Sequence, residues 1–156
     1  MSDDGVVLRG YRDGDLEAMF RLDEICFEEP FRFSRVAMRR FAEARRARVV
    51  LAELRGEMVG FCIVHVEQGG VGYVVTLDVA PEMRRRGLAR LLMDRGEEAV
   101  REAGCGVMVL HVFEGNEAAV RFYERVGYRL VGRDVGFYGG GLDAMVYRKV
   151  LESVEV

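Results

Sequence analysis

The first segment suited to chemistry is a short loop, residues 84–89, with the sequence RRRGLA. It lies between an apolar segment and the clearest helical pattern of the chain, residues 87–103. A helix N-terminus that follows a strand presents unpaired backbone N–H groups and partial positive charge, and both attract anions. Small residues at Gly87 and Ala89 let phosphate oxygens approach the backbone. The loop is therefore predicted to bind a pyrophosphate.

The pattern [Arg/Gln]-x-x-Gly-x-[Gly/Ala] is short, and residues 101–106 match it a second time. The second match lies at a helix end, where carbonyl groups and negative dipole charge repel phosphate. Gly104 is better explained there as a helix stop. No P-loop sequence occurs, and no Gly-x-Gly-x-x-Gly follows an early strand, so those nucleotide folds are not expected.

His111, in an apolar strand, is a candidate for proton transfer by its residue type. A buried histidine in such a strand is more often a hydrogen-bonded core residue. Taken by their positions alone, Tyr123 on a helix and Tyr73 near the start of a central strand are compatible with core packing. Tyr138, in a glycine-rich loop, is equally compatible with substrate contact and with plain surface exposure.

The elements that must position these side chains alternate between strands and helices along 156 residues, which fits one domain, residues 1–156. Helices are expected after Asp13 or Asp15, after Ser34, over residues 87–103, and from Asn116 to Gly127. Strands are expected at residues 6–8, 49–54, 58–66, 73–79, 107–112, 128–135 and 142–150. The fold class is therefore α/β, with a mixed sheet of about seven strands and about four helices.

Composition and charge argue against several classes of protein. No apolar run approaches the ~20 residues of a membrane span, and the acidic N-terminus lacks the apolar stretch of a signal peptide. The net charge of −3 gives no general attraction to nucleic acid. The three scattered cysteines, Cys26, Cys62 and Cys105, suit neither a disulfide framework nor a metal site. We expect a cytoplasmic protein without a metal.

Two segments together resemble the GNAT superfamily of acetyl-CoA-dependent N-acetyltransferases. Residues 77–89 contain LDVAP followed by RxxGxA, which is similar to the family's cofactor motif. Residues 116–128 read NxxAxxFYxxxGY, which is similar to its second motif. The two occur in the family's order and at its usual separation, and the resemblance covers nearly the whole chain.

This resemblance implies a mostly antiparallel sheet whose two central strands splay, with the pantetheine arm of acetyl-CoA in the gap. Backbone groups of Leu77 and Val79 would bond the arm, Asn116 would reach the pantetheine, and Tyr123 would lie beside the thioester sulfur. The pyrophosphate would be bound by the backbone amides of Arg84, Arg85, Arg86, Gly87, Leu88 and Ala89.

Within the superfamily, the chain resembles the N-terminal protein acetyltransferases of the ribosomal-protein alanine type. His111 matches a subgroup with histidine on this strand, and Tyr73 matches a tyrosine that pairs with it through water. Residues 27–33 and 137–144 resemble the two loops that embrace a peptide N-terminus. The expected substrate-binding residues are Phe27, Pro30, Phe31 and Tyr138. Phe137 in place of a tyrosine and the glycine triplet 139–141 depart from the pattern and leave peptide specificity open.

The implied reaction is attack of a neutral amine on a thioester. An α-amino group has a pKa of about 7.7–8.0 against about 10.4 for lysine, so a histidine base acting through water suits the former. The Val79 N–H is a candidate oxyanion donor. Expected partners are acetyl-CoA and a peptide or protein N-terminus, with the protein a monomer or homodimer. Acetylation of a small amine (antibiotic, polyamine or amino acid) remains open, as does a catalytically silent acyl-CoA-binding module.

Overall fold

A mixed β-sheet with helices on its faces forms the framework of the molecule, in a computed structural model that describes residues 5–151. Over this range the sheet has seven strands in the order β1-β2-β3-β4-β5-β7-β6. The strands are β1 Val6–Gly10, β2 Ala47–Leu54, β3 Glu57–Glu67, β4 Val71–Val79, β5 Val107–Phe113, β6 Arg129–Asp134 and β7 Ala144–Val150. The α-helices are α1 Leu16–Cys26, α2 Arg35–Ala42, α3 Leu88–Glu102 and α4 Glu117–Arg125. The predicted fold class is confirmed.

Two central strands pair for only part of their length. β4 and β5 are the one parallel pair within residues 5–151, and their ladder runs from Val71 and Val107 to Val74 and Leu110. A bulge at Val75 then shifts the register of β4 against β3, and such bulges bend the strand that carries them. Beyond it the two strands are no longer hydrogen-bonded to each other, which opens a cleft in the middle of the sheet.

Local sequence signals explain the ends of the helices. Ser34 caps α2 by accepting a hydrogen bond from the Ala37 amide at 3.1 Å. Gly104 ends α3 with φ +97°, and the Cys105 amide bonds back to the Val100 carbonyl, as in a Schellman motif. The second match to the phosphate pattern is therefore a helix stop. Asp15 stands at the N-cap of α1, but its carboxylate binds Arg9 rather than the helix amides.

Helix α3 lies close to the sheet because glycines leave room for it. A Cβ on Gly96 would lie 3.2 Å from a Val64 methyl, and one on Gly72 would lie 2.9 Å from a Val100 methyl. The close approach fixes the N-terminus of α3 beside the end of β4. No helix within residues 5–151 is long and apolar enough to cross a membrane.

A buried pair of carboxyl groups ties α1 to β4. Asp23 accepts a hydrogen bond from the Phe33 amide at 2.7 Å, and Asp78 accepts one from the Thr76 hydroxyl at 2.6 Å. The second oxygen of each carboxyl, Asp23 Oδ1 and Asp78 Oδ2, has no other partner among the described residues. Burial, reinforced by the neighbouring Asp23, raises the pKa of Asp78 well above its ordinary value. A proton on Asp78 can then be donated to Asp23 and satisfy both oxygens.

Candidate active site

The loop before α3 has a backbone suited to an anion. Arg85 and Gly87 both adopt left-handed conformations, with φ +64° and +83°, separated by Arg86. Alternation of this kind turns successive N–H groups toward one point and forms an anion-binding concavity. No side chain caps the N-terminus of α3, so its first amides are not engaged by a cap. The geometry therefore fits the pyrophosphate of an acyl-CoA.

The three arginines of this loop are exposed and serve different purposes. The Arg84 guanidinium donates from Nε to the carbonyl of Val79 at 3.2 Å, which ties the loop to the end of β4. Arg86 contacts the sulfur of Met83 at 3.6 Å. These contacts hold the loop in place and surround it with positive charge.

The cleft between β4 and β5 is lined by backbone that faces away from β3. The Ala80 amide donates to the Val59 carbonyl at 2.9 Å, so the groups of Ala80 face β3. Because polar groups alternate along an antiparallel strand, those of Val79 and Leu77 point into the opening. The backbone groups of Leu77 and the Val79 amide therefore face the cleft, and the Val79 carbonyl already accepts from Arg84 Nε at 3.2 Å and from Cys26 Sγ at 3.4 Å.

Tyr123 and Asn116, the two predicted residues of α4, lie in different environments. The side chain of Tyr123 is buried, and burial, with smaller effects of Cys62 and Asp78, raises its pKa well above the ordinary value of 10. Asn116 is exposed and uses Oδ1 to cap the helix, accepting from the Ala119 amide at 3.2 Å. The Asn116 side-chain NH₂ is the group that can still reach a ligand.

His111 and Tyr73 are brought into direct contact, as neighbours on β5 and β4. The Tyr73 hydroxyl lies 2.7 Å from His111 Nδ1, so the structure joins the two side chains without the water expected between them. His111 Nε2 lies 2.6 Å from Asp134 Oδ2. The imidazole also stacks on the ring of Phe137, with centroids 4.0 Å apart and planes 4° from parallel. Three side chains therefore hold the histidine in place, directly after the last hydrogen-bonded pair of β4 and β5.

The two loops predicted to embrace a peptide do approach each other. The ring of Phe31, between α1 and α2, meets Tyr138, between β6 and β7, at 4.9 Å, and Phe113 of β5 at 4.8 Å. Pro30 is exposed and Phe27 is half-buried at the end of α1, and neither takes part in this cluster. Of the four predicted substrate residues, Phe31 and Tyr138 are thus brought together.

Sequence reasoning missed two residues of this site, Asp134 and Phe113, and it placed Phe137 in the predicted peptide loop without its contact with His111. β7 lies between β5 and β6, so Asp134 at the end of β6 reaches across it to His111. Phe113 continues the alternation of β5 two residues after His111, and that period was the available signal. Strand order was not inferred from the sequence, so Asp134 had no such signal.

Comparison with known proteins identifies the family. Residues 16–128 match the model of the Acetyltransferase (GNAT) family. The chain belongs to this family.

Among curated proteins, the chain is similar to N-alpha-acetyltransferase 20 of Dictyostelium discoideum, with 36% identity over 103 residues, 64% of this chain and 60% of that protein. It is also similar to mycothiol acetyltransferase of Propionibacterium freudenreichii subsp. shermanii, with 31% identity over 144 residues, 86% of this chain and 46% of that protein. The chain thus spans about half to three-fifths of the length of these relatives.

Two solved structures show the same fold. The ribosomal-protein-S18-alanine N-acetyltransferase of Escherichia coli superposes with a TM-score of 0.84 at 20% identity, over 96% of each chain. Arabidopsis thaliana NAA60 in complex with acetyl-CoA gives 0.82 at 22% identity, over 94% of this chain and 98% of that one. At these identities the likeness establishes the fold alone.

Proposed function

We propose that the protein is an acetyl-CoA-dependent N-acetyltransferase that acts on the α-amine of a peptide or protein. The observation that carries the proposal is the cleft between β4 and β5. The anion-binding loop lies at its open end, after β4, and the Tyr73–His111 pair lies at its closed end, where β4 and β5 are still hydrogen-bonded. A thioester laid along the cleft reaches from the phosphate site toward those side chains.

Acetyl-CoA supplies the thioester, and the chain's own residues bind and orient it. The amides of the loop from Arg84 to Ala89 bind the pyrophosphate, and backbone groups of Leu77 and Val79 bond the pantetheine arm. The Val79 N–H is the candidate oxyanion donor, because it points into the cleft where negative charge develops. Asn116 bonds the pantetheine through its amide nitrogen.

The reaction moves two protons: the acceptor amine loses one and the leaving thiolate gains one. The acceptor amine must lose a proton, and the Tyr73–His111 pair is the basic group at the closed end of the cleft. The leaving thiolate must gain one, and Tyr123 can donate to the sulfur. Its raised pKa keeps the hydroxyl protonated at neutral pH.

A peptide is favoured over a polyamine by the charges around the acceptor side. Several carboxylates on that side are already engaged. Glu114 and Asp143 bond Arg133, at 2.7 and 3.2 Å, Asp134 bonds His111, and Glu29 pairs with Arg32 at 3.2 Å. The aromatic side chains of Phe31, Phe113 and Tyr138 lie beside them. Such a surface suits the first side chain of a peptide better than a chain of ammonium groups.

Acetylation of a small amine is the second candidate. It is favoured by the similarity to a mycothiol acetyltransferase over 144 residues. The relative's name describes that protein, and the similarity leaves the acceptor class of this chain to experiment.

An acceptor panel separates the two candidates. Purified protein is incubated with acetyl-CoA and with tripeptides that differ in their first residue. Parallel samples contain free amino acids, spermidine or an aminoglycoside, and products are measured by mass spectrometry. The proposal expects kcat/KM for the best peptide to exceed that of every small amine by at least about 10-fold. A small amine as the best acceptor would instead support the second candidate.

A further inference from the structure

We propose that Asp134 is a positioning residue that orders the Tyr73–His111 pair, so that the acceptor amine loses its proton through the Tyr73 hydroxyl. The inference rests on the proposed function and adds to it the direction of the proton path. It comes from the hydrogen bonds of three side chains on β4, β5 and the end of β6.

Donor and acceptor counting fixes the direction. A carboxylate can only accept, so the hydrogen bond of 2.6 Å between Asp134 Oδ2 and His111 requires the proton on Nε2. A neutral imidazole then has its lone pair on Nδ1, and Nδ1 must accept from the Tyr73 O–H at 2.7 Å. Both ring nitrogens are thus occupied. The Tyr73 oxygen keeps free lone pairs, and these are what an incoming amine can meet.

The surroundings hold this arrangement. The His111 side chain is 16% exposed, and Phe137 stacks on its ring, so the imidazole has little room to turn over. The Asp134 side chain is 55% exposed, and within residues 5–151 its carboxylate bonds only His111. The contact is therefore not part of a larger ion-pair network, and its removal isolates one effect.

The proton step follows from these contacts. The amine nitrogen attacks the acetyl carbon and becomes positively charged as the N–C bond forms. Its N–H proton passes to Tyr73 Oη while the Tyr73 proton passes to His111 Nδ1, giving an imidazolium whose Nε2–H still bonds Asp134. The C–S bond breaks, the Tyr123 hydroxyl donates a hydrogen bond to the thiolate sulfur, and the sulfur takes its proton from water. The imidazolium then returns its proton to water.

Tyr73 acts in this path as a relay rather than as a stored base. Burial raises its pKa well above the ordinary value, with further increases from Tyr138, Asp134 and Glu67. A free phenolate is therefore disfavoured, and the proton must leave for His111 as the amine's proton arrives. Asp134 supports that transfer by stabilising the charge that forms on the imidazole.

Kinetics of substituted proteins test the path. We expect His111→Phe to lower kcat about 10²-fold, in the usual range for loss of a general base. Asp134→Ala should lower kcat roughly 10-fold, with little change in acetyl-CoA affinity, because it removes only the orienting contact. The double substitution should be no slower than His111→Phe alone, since both act on one path. Glu98→Ala is the control, because Glu98 is an exposed carboxylate on α3 that pairs with Arg95 and not with His111.

Nuclear magnetic resonance of the resting protein tests the hydrogen bonds without any turnover. The chain has two histidines, so ¹⁵N-histidine labelling gives two ring systems. His65 Nε2 lies 2.9 Å from the Phe41 carbonyl, which can only accept, and His65 serves as the internal reference. We expect His111 to carry its proton on Nε2, with a downfield proton signal that Asp134→Ala removes. Glu98→Ala should retain it, and the His65 signals should stay unchanged in both.

Three results would overturn the inference: a His111 proton on Nδ1, an Asp134→Ala enzyme with wild-type kcat, or a Tyr73→Phe enzyme with wild-type kcat. Failure of the wild-type protein to acetylate any amine would instead remove the proposed function. The resonance measurement would still report the hydrogen bonds, so the two failures are distinguishable.

Discussion

The ring of Phe31 meets the ring of Tyr138 edge-on, with centroids 4.9 Å apart and planes at 76°. Phe31 belongs to the segment between α1 and α2, and Tyr138 belongs to the segment between β6 and β7. Phe113 of β5 lies against both rings. The contact joins the two segments against the end of β5 and makes an aromatic wall, which we propose is where the acceptor binds.

Removal of this wall should weaken acceptor binding. Phe31→Ala is expected to raise KM for the best peptide about 10-fold with a small effect on kcat, because aromatic area is lost outside the reacting centre. Steady-state kinetics at saturating acetyl-CoA measure it. Ile25→Ala, an exposed apolar residue near the end of α1, is the control. Equal KM values for Phe31→Ala and wild type would exclude Phe31 from the acceptor site.

The two glycines at opposite ends of α3 provide a matched test of the phosphate loop. Gly87 and Gly104 both have left-handed φ angles, +83° and +97°. Alanine at either position should cost about 1 kcal/mol of unfolding free energy, because a Cβ is penalised there. Only Gly87→Ala should raise the Kd for acetyl-CoA, by about 10-fold or more, as measured by calorimetry. Similar losses of affinity in both variants would show that the effect comes from the helix and not from the loop.

The protonation of Tyr123 predicts a pH dependence. Its raised pKa keeps the hydroxyl neutral through the alkaline range in which kinetics are measured. Wild-type kcat should therefore show no decline from loss of this proton between about pH 7 and 10. Tyr123→Phe should lower kcat roughly 10-fold at every pH. An alkaline decline in wild type that disappears in Tyr123→Phe would contradict the assignment.

The carboxyl pair inside the core predicts a pH dependence of stability. Asp78 has a raised pKa in the folded protein, so its contribution is complete below the unfolded value of about 3.9 and is lost as pH rises toward the folded value. Asp78→Asn has no such proton to retain, and its amide can donate to Asp23 Oδ1. The stability of Asp78→Asn relative to wild type should grow with pH, by up to about 1.4 kcal/mol per unit.

Urea unfolding at several pH values between 5 and 8 measures this difference. Asp94→Asn, at an exposed position on α3, controls for the loss of one carboxylate. Parallel stability curves for Asp78→Asn and wild type would mean that Asp78 gains no proton on folding.

Much of the fold followed from local signals. Ser34, Gly104 and Gly127 each end or begin a helix as the sequence predicted, because caps depend on one or two residues. The loop before α3 was predictable for the same reason, and its binding of phosphate stays a prediction. Its left-handed Arg85 was not, since nothing local requires a positive φ at a residue with a Cβ.

The acceptor side depended on long-range order. His111 and Tyr73 were predicted as functional, but their direct hydrogen bond depends on the register of β4 against β5, which no local pattern sets. Asp134 reaches His111 only because β7 lies between β5 and β6. Pro30, placed among the substrate residues by resemblance, stands outside the aromatic contacts. Such placements come from strand order and loop packing rather than from spacing.

One measurement tests the central proposal most directly. Two peptides of identical sequence, each with one internal lysine, are supplied with acetyl-CoA, and one of them has its α-amine blocked. Fragment-ion mass spectrometry locates any acetyl group. The account predicts rapid transfer to the free α-amine of the first peptide and none to the lysine of either. Transfer to the lysine at equal rates in both peptides, or to neither peptide while small amines are acetylated, would contradict it.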